Sequence, residues 1–184
     1  DNGREEVGVT SELAPAPPHV GSRDCGQMRY PGGNGELAPQ KPHTIGPTWA
    51  RNDDGSWHLP EKSLGWGVLN WWADYVNTPG GEHAGTPFMP TLEQARFILW
   101  WYGVNDEGNY VFREGIFRRL KGHGKDPLAA ALALAEMCGP VAFSHFDESG
   151  PVGKPRHAAW ITIAAVSQDQ TKNTFSLFPI MISK

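Results

Sequence analysis

The chain has 184 residues, enough for one domain with a hydrophobic core, and a formal net charge of −4. That acidic balance disfavours a generally basic nucleic-acid-binding protein, although a local basic patch remains compatible with it. No apolar run approaches the ~20 residues of a membrane-spanning helix, no signal peptide is predicted, and two cysteines are too few for a disulfide scaffold. Composition therefore excludes a membrane protein, a disulfide-rich secreted mini-protein and a fibrous protein.

The first quarter of the chain is rich in proline and glycine. Runs such as LAPAPP and YPGGNG favour extended or turn conformations, so residues 1–43 are predicted to form an irregular, partly disordered N-terminal arm. Residues 44–184 are predicted to form the folded domain. At its start, residues 45–59 are predicted to form an ordered loop or small hairpin, held by Trp49 and Trp57 around a D-G turn.

Helical periodicity begins after this segment. Apolar residues recur at helical spacing over residues 64–76, which predicts a helix that ends at the TPGG sequence. A second helix is predicted from Thr91 through Trp101, because Thr91 and Gln94 have the spacing of a capping box. Residues 110–113 and 116–120 are predicted to be two short strands.

The second half of the chain alternates helix and strand patterns. Residues 126–137 are predicted to be a helix and residues 141–144 a short strand, followed by a polar loop at 147–157. Residues 158–166 (AAWITIAAV) are apolar on both faces, which is typical of a central parallel strand. A last helix is predicted over 168–177. This order favours an α/β fold with a parallel sheet.

The segment IFRRLKGHGKDPLAA, residues 116–130, carries the strongest chemical pattern in the chain. A predicted strand leads through a glycine-containing loop into a helix, which is the context of a phosphate-binding loop. In that arrangement Lys125 reaches the β- and γ-phosphates of a nucleotide. The pattern departs from the standard loop at Arg119, where glycine is usual, and at Asp126, where serine or threonine is usual. The alternative interpretation is a glycine-rich turn with solvated basic residues.

With its flanks, this loop resembles the ATPase part of the large terminase subunits of tailed bacteriophages, in particular those of actinobacteria. The resemblance covers roughly residues 44–184 and rests on several stretches in one order. These stretches are TIGPTW, LGW, TLEQARFILWWY, RRLKGHGKDP, GP and WITIAAVSQDQTKNT. It implies a P-loop NTPase-type fold and an ATPase that couples ATP hydrolysis, with Mg²⁺, to DNA translocation into the capsid.

The resemblance also assigns roles to particular residues. Lys125 and Arg119 match catalytic positions, Asp126 is the candidate Mg²⁺ ligand, and Gln94 matches a glutamine that lies near the adenine. The capping box is the alternative interpretation of Gln94, and both can hold in part. The ATP-binding residues implied in the loop are Lys121, Gly122, His123, Gly124, Lys125 and Asp126.

One motif expected of a complete motor is absent from these residues. A Walker B strand ends in Asp-Glu, and its only lookalike is VAFSHFDE, residues 141–148, where a serine and a histidine interrupt the apolar run. This lookalike is rejected, and the true motif and the nuclease domain are expected later than residue 184. The ATPase assignment therefore applies to the full-length protein, and this portion is expected to bind ATP better than it hydrolyses it.

The family resemblance also implies partners and a location. Double-stranded DNA, the portal protein and the small terminase subunit are the expected partners of a homo-oligomeric ring in the host cytoplasm during virion assembly. Lys154 and Arg156 are candidates for contact with a neighbouring subunit's nucleotide. Histidine and cysteine spacing predicts no zinc site. The alternative functions are a small P-loop kinase and a non-catalytic assembly module with a degenerate phosphate loop.

Overall fold

A computed structural model of the protein describes residues 7–10 and 47–182. Within these residues the chain is mixed α/β, which confirms the predicted class at that level. The predicted irregular arm at residues 1–43 lies outside the described residues, apart from one strand. The elements in chain order are β1 Val7–Thr10, α1 Gly65–Tyr75, α2 Leu92–Trp101, β2 Glu114–Phe117, α3 Lys125–Cys138, β3 Ala142–Asp147, β4 Gly150–Lys154, α4 Gln168–Phe175 and α5 Leu177–Ile182.

The hydrophobic core lies between α1, α2 and α3. Val68 and Trp72 of α1 are fully buried, as the sequence predicted, and they meet the buried faces of α2 and α3, whereas Tyr75 at the end of the helix is exposed. Trp72 is the largest of them, and its indole nitrogen donates a hydrogen bond to the Ala131 carbonyl at 2.9 Å. Because a buried indole N–H needs an acceptor, this bond fixes α1 against α3.

The start of α2 is the predicted capping box. The Thr91 hydroxyl accepts a hydrogen bond from the Gln94 amide at 3.3 Å, and the Thr91 amide donates to the Gln94 side-chain oxygen at 2.9 Å. These two bonds satisfy amides that the first turn of a helix leaves without partners. The capping interpretation of Gln94 is therefore confirmed.

A tryptophan-anchored turn precedes α1. Pro47–Trp49 form a 3-10 helix, and an isolated bridge pairs Arg51 with Trp57 around the D-G turn. The rings of Trp49 and Trp57 meet edge to face, with centroids 6.3 Å apart. The predicted small hairpin is thus present in shortened form.

The expected parallel sheet is wrong for the described residues. Their two sheets are two-stranded and antiparallel, β1 with β2 and β3 with β4. The β3–β4 hairpin occupies part of the predicted polar loop at 147–157. The strand predicted at 116–120 ends at Phe117 and includes Glu114 and Gly115, where a turn was expected. Residues 110–113 contribute only one bridge, from Tyr110 to Val104.

The strand predicted at residues 158–166 is also wrong. These residues form no helix or strand, and the side chains of Trp160 and Val166 are 92% and 100% exposed. An apolar, β-branched run adopts a central strand only where neighbouring strands pair with its edges and other elements cover its faces. The described residues supply no such neighbours.

Two short helices follow in place of the single helix predicted at 168–177. Ser167 caps α4 by accepting a hydrogen bond from the Gln170 amide, and α5 begins at Leu177. Pro179 was expected to end the helix, but it lies in the first turn of α5, where no intrahelical amide bond is needed. Across residues 7–10 and 47–182, no helix combines the length and the apolar character required to cross a membrane.

The end of α3 corrects one further expectation. Cys138 is the last residue of α3 and is exposed, although its place at the end of an alanine-rich helix would favour the core. The apolar face of α3 ends one turn earlier, so the final residues of the helix leave the core. Cys25 lies outside the described residues.

Candidate phosphate-binding site

The loop between β2 and α3 turns on two glycines with positive φ angles. Gly122 and Gly124 have φ angles of +89° and +69°, in the left-handed region that residues with a Cβ rarely adopt. Gly124 is the N-cap of α3, so the chain turns directly from the loop into the helix. The first amides of α3 therefore lie at the loop, where the helix N-terminus carries about half a positive charge.

A shallow pocket of about 340 Å³ lies at this junction. Six residues line the pocket, and two of them are lysines. They belong to the loop that the sequence predicted and to the start of α3. Backbone amides and two lysines meet there, which is a donor set suited to phosphate oxygens. The lining residues are Lys121, Gly122, Gly124, Lys125, Asp126 and Pro127. His123 lies in the same loop with an exposed side chain.

Lys125 folds back over the start of the loop. Its ammonium group donates hydrogen bonds to the carbonyls of Arg119 at 2.9 Å and Leu120 at 2.7 Å. These bonds close the loop upon itself and keep the ammonium at the edge of the pocket. The ammonium has three N–H donors, so one remains for a phosphate oxygen, and a second phosphate contact requires the release of a carbonyl.

Arg119 lies beneath the loop. Its guanidinium, 1% exposed, forms an ion pair with Glu93 of α2 and stacks over the rings of Trp49 and Phe117 at 5.4 and 5.2 Å. It is not among the residues that line the pocket. The structure therefore brings the Arg119 backbone to Lys125 and directs its side chain towards α2.

The Glu93–Arg119 pair was not predicted from the sequence. The two residues are 26 positions apart. An acidic residue in the first turn of a helix is already explained by its interaction with the helix dipole. Only the fold reveals that this carboxylate holds the arginine that precedes the loop.

Gln94 connects α2 to the loop. While its side-chain oxygen completes the capping box, its amide nitrogen donates to the His123 carbonyl at 3.3 Å. The side chain is almost fully buried and lies 3.4 Å from the position of a Cβ built on Gly124. The structure thus brings Gln94 to the glycine loop before α3 through a contact with the backbone. Its role near adenine stays a prediction.

Asp126 is the single candidate metal ligand in the pocket. It is exposed in the first turn of α3, and no cluster of three or more potential metal ligands occurs among residues 7–10 and 47–182. One carboxylate is compatible with Mg²⁺, which is usually held by one or two protein carboxylates together with water and substrate phosphates. The residues present therefore fit a metal that arrives with a nucleotide.

The rejected Walker B lookalike is a hairpin strand. β3 is largely exposed and pairs only with β4, and the Asp147 carboxylate accepts a hydrogen bond from the Ser149 amide at 2.7 Å. A carboxylate engaged in its own turn, on a strand that does not pair with β2, is not placed to act at the loop. The place of the true Walker B motif stays a prediction.

A second groove, of about 1,020 Å³, lies along the outer side of α3. Glu136 accepts hydrogen bonds there from Tyr102 at 2.9 Å and from Arg156 at 3.0 Å, and Arg156 also donates to the Tyr110 hydroxyl at 3.1 Å. Burial raises the pKa of Tyr102 and of Tyr110, and the Glu136 carboxylate adds to both shifts. Arg156 is therefore held by this network, and Lys154 ends the neighbouring strand with an exposed side chain.

Comparison with known proteins places the chain among bacteriophage sequences. It is 64% identical to the "Gene 13 protein" of Mycobacterium phage L5, over 81% of this chain and 28% of that protein. It is 62% identical to the "Gene 13 protein" of Mycobacterium phage D29, over 81% of this chain and 29% of that protein. No model of a protein family matches the chain, and no solved structure matches it.

These relatives indicate what kind of organism such sequences come from and how long the related proteins are. Both are phage proteins, which supports the predicted class of viral protein, and their names state no activity. The chain spans less than a third of the length of the curated relatives it matches.

Proposed function

We propose that this chain is the nucleotide-binding portion of a bacteriophage DNA-packaging ATPase, a large terminase subunit, and that its loop at residues 121–126 binds the phosphates of ATP. The observation that carries the proposal is the placement of Lys125 at the first position of α3, directly after two left-handed glycines. Amides, a lysine and a helix N-terminus converge there on one small pocket. The mycobacteriophage relatives support the viral setting.

Each residue of the site has a distinct part in this proposal. Backbone amides of the loop donate to phosphate oxygens, and Lys125 releases a carbonyl partner to contact both the β- and γ-phosphates. Asp126 assists Mg²⁺, which neutralises charge on the phosphates when bound. Arg119 and Gln94 hold the loop from beneath, since one pairs with Glu93 and the other bonds the His123 carbonyl.

The same geometry favours binding over hydrolysis in this portion of the protein. Activation of a water molecule requires a positioned base or water-orienting residue, and no second carboxylate lines the pocket. Turnover by this chain is therefore expected to stay below ~1 per second, the lower end of typical phosphoryl-transfer rates. Hydrolysis coupled to translocation belongs to the longer protein, acting in a ring with DNA, portal and small subunit.

Binding of a fluorescent ATP analogue with Mg²⁺ tests the proposal directly. The wild-type chain, Lys125→Ala and Lys172→Ala are compared by fluorescence anisotropy, with thermal unfolding of each variant measured in parallel. Lys172 is the matched control, because it is an exposed lysine of α4 that does not line the pocket.

The expected result is micromolar binding by the wild type and the Lys172 variant, and binding at least tenfold weaker by the Lys125 variant at unchanged unfolding temperature. Equal binding by all three chains would place the nucleotide elsewhere. No binding by the wild type would favour a non-catalytic assembly module. Turnover well above ~1 per second would place a catalytic base within these residues.

A further inference from the structure

A second cationic site lies beside α2, built on Trp57. The guanidinium carbons of Arg51 and Arg96 lie 3.6 and 3.7 Å from the centre of the Trp57 ring. Two guanidinium groups at that distance would overlap on one face, so the indole lies between them. The ring thus holds two permanent positive charges at a fixed separation.

Neither arginine forms an ion pair with a carboxylate of the described residues. The ion pairs formed within residues 47–182 include neither of them. Arg51 donates to the Gly55 carbonyl and Arg96 to the Thr48 carbonyl, while Asp54 in the same turn accepts from the Ser56 amide. Burial and the charge of Arg51 both lower the pKa of Arg96, which reflects the proximity of two like charges.

This pair is separate from the nucleotide loop. Gln94 and Arg96 are two residues apart on α2, which turns their side chains by about 200° around the helix axis. One contacts the loop at His123, and the other contacts Trp57. Arg51 is exposed, so the stack is accessible from solvent on at least one side.

From this arrangement we propose that the Arg51–Trp57–Arg96 stack binds the phosphodiester backbone of nucleic acid. One aromatic ring keeps the two cations apart. They therefore match a ligand with repeated phosphates better than they match a single phosphate ion. Guanidinium groups suit phosphate oxygens because they donate in a planar fork. The choice of nucleic acid as the source of these phosphates rests on the proposed packaging function, whereas the site itself is independent of the nucleotide loop.

Binding of a fluorescein-labelled DNA duplex, measured by anisotropy at several salt concentrations, tests this inference. The double variant Arg51→Gln/Arg96→Gln is compared with the wild type and with Arg113→Gln/Lys172→Gln. The control removes the same formal charge from two exposed side chains elsewhere. Each phosphate contact contributes about 0.9 to the slope of the logarithm of the binding constant against the logarithm of the salt concentration. The magnitude of this salt slope should therefore be smaller by about two in the stack variant.

The expected result is duplex binding at least tenfold weaker for the stack variant and nearly unchanged for the control, with nucleotide binding retained in both. The single variant Arg51→Gln is expected to disturb folding less, because Arg51 is exposed. The magnitude of its salt slope should be smaller by about one. The inference is overturned if wild type does not bind the duplex, or if both double variants weaken binding equally. It is also overturned if inorganic phosphate or ATP competes with the duplex as effectively as unlabelled DNA.

These outcomes separate this site from the proposed nucleotide site. Loss of nucleotide binding in Lys125→Ala reports only on the loop, and loss of duplex binding in the stack variant reports only on the arginines. The nucleotide-binding prediction can therefore be refuted while the duplex-binding prediction holds, and the reverse.

Discussion

Two glycines of α1 make a matched test of how closely the first two helices approach. At Gly65 a Cβ would lie 2.8 Å from the Ile98 carbonyl oxygen and 2.9 Å from the Leu99 Cα, both backbone atoms of α2. At Gly67, two residues later, a Cβ would meet only a Pro140 ring carbon at 3.8 Å, an ordinary contact. The same substitution, glycine to alanine, is therefore expected to have opposite effects at the two positions.

The magnitudes follow from the geometry. Backbone atoms of α2 cannot turn aside as a side chain does, so Gly65→Ala has to separate two packed helices, at a net cost of about 2 kcal/mol. For a chain of this size, that lowers the unfolding temperature by roughly 4–8 °C. Gly67→Ala has no such conflict, and the better helix propensity of alanine is expected to stabilise the protein by about 0.5–1 kcal/mol.

Urea unfolding followed by tryptophan fluorescence and by far-ultraviolet circular dichroism measures both free energies. The free energy of unfolding is expected to be highest for Gly67→Ala, intermediate for the wild type and lowest for Gly65→Ala. The three proteins should have similar denaturant slopes. If Gly65→Ala were as stable as the wild type, the close contact between α1 and α2 would be refuted. If Gly67→Ala were strongly destabilising, the reasoning about local space would be wrong for both glycines.

Three further substitutions test contacts that the fold creates. Gln94→Ala removes the capping box and the bond to the loop and should cost about 1–2 kcal/mol, whereas Gln94→Glu keeps the capping acceptor and should cost less, as measured by urea unfolding. Trp72→Phe loses the indole bond to α3 and buried volume, so thermal unfolding should reveal a loss of about 1–3 kcal/mol. Glu136→Ala leaves the Tyr102 hydroxyl buried without its acceptor and should cost about 1–3 kcal/mol, while the exposed neighbour Met137→Ala should change the unfolding midpoint little.

The helices were predictable because their signals are local. The apolar face of α1, the capping box of α2 and the proline in the first turn of α3 each lie within a few residues of sequence. Such signals can be recognised without knowing which distant segments pack against the helix. The glycine loop before α3 was found for the same reason, since its residues and the helix that follows are contiguous.

The sheets and the partners of Arg119 were not predictable in this way. Whether residues 158–166 form a strand depends on which other strands lie beside them, and composition does not contain that information. Likewise, Arg119 appeared to face a phosphate when only its position in the loop was considered. The fold places Glu93 and Trp49 against it, and those contacts come from segments 26 and 70 residues away.

The self-closed conformation of Lys125 has a consequence for how a ligand is received. With its ammonium bonded to two carbonyls of its own loop, the chain holds the loop in shape before any phosphate arrives. The entropy of ordering that backbone is lost during folding and not during binding, which favours affinity. The change on binding is then confined to one flexible side chain that exchanges acceptors. The loop is therefore preorganised for binding, and the Lys125 side chain is the group expected to change its hydrogen-bond partners.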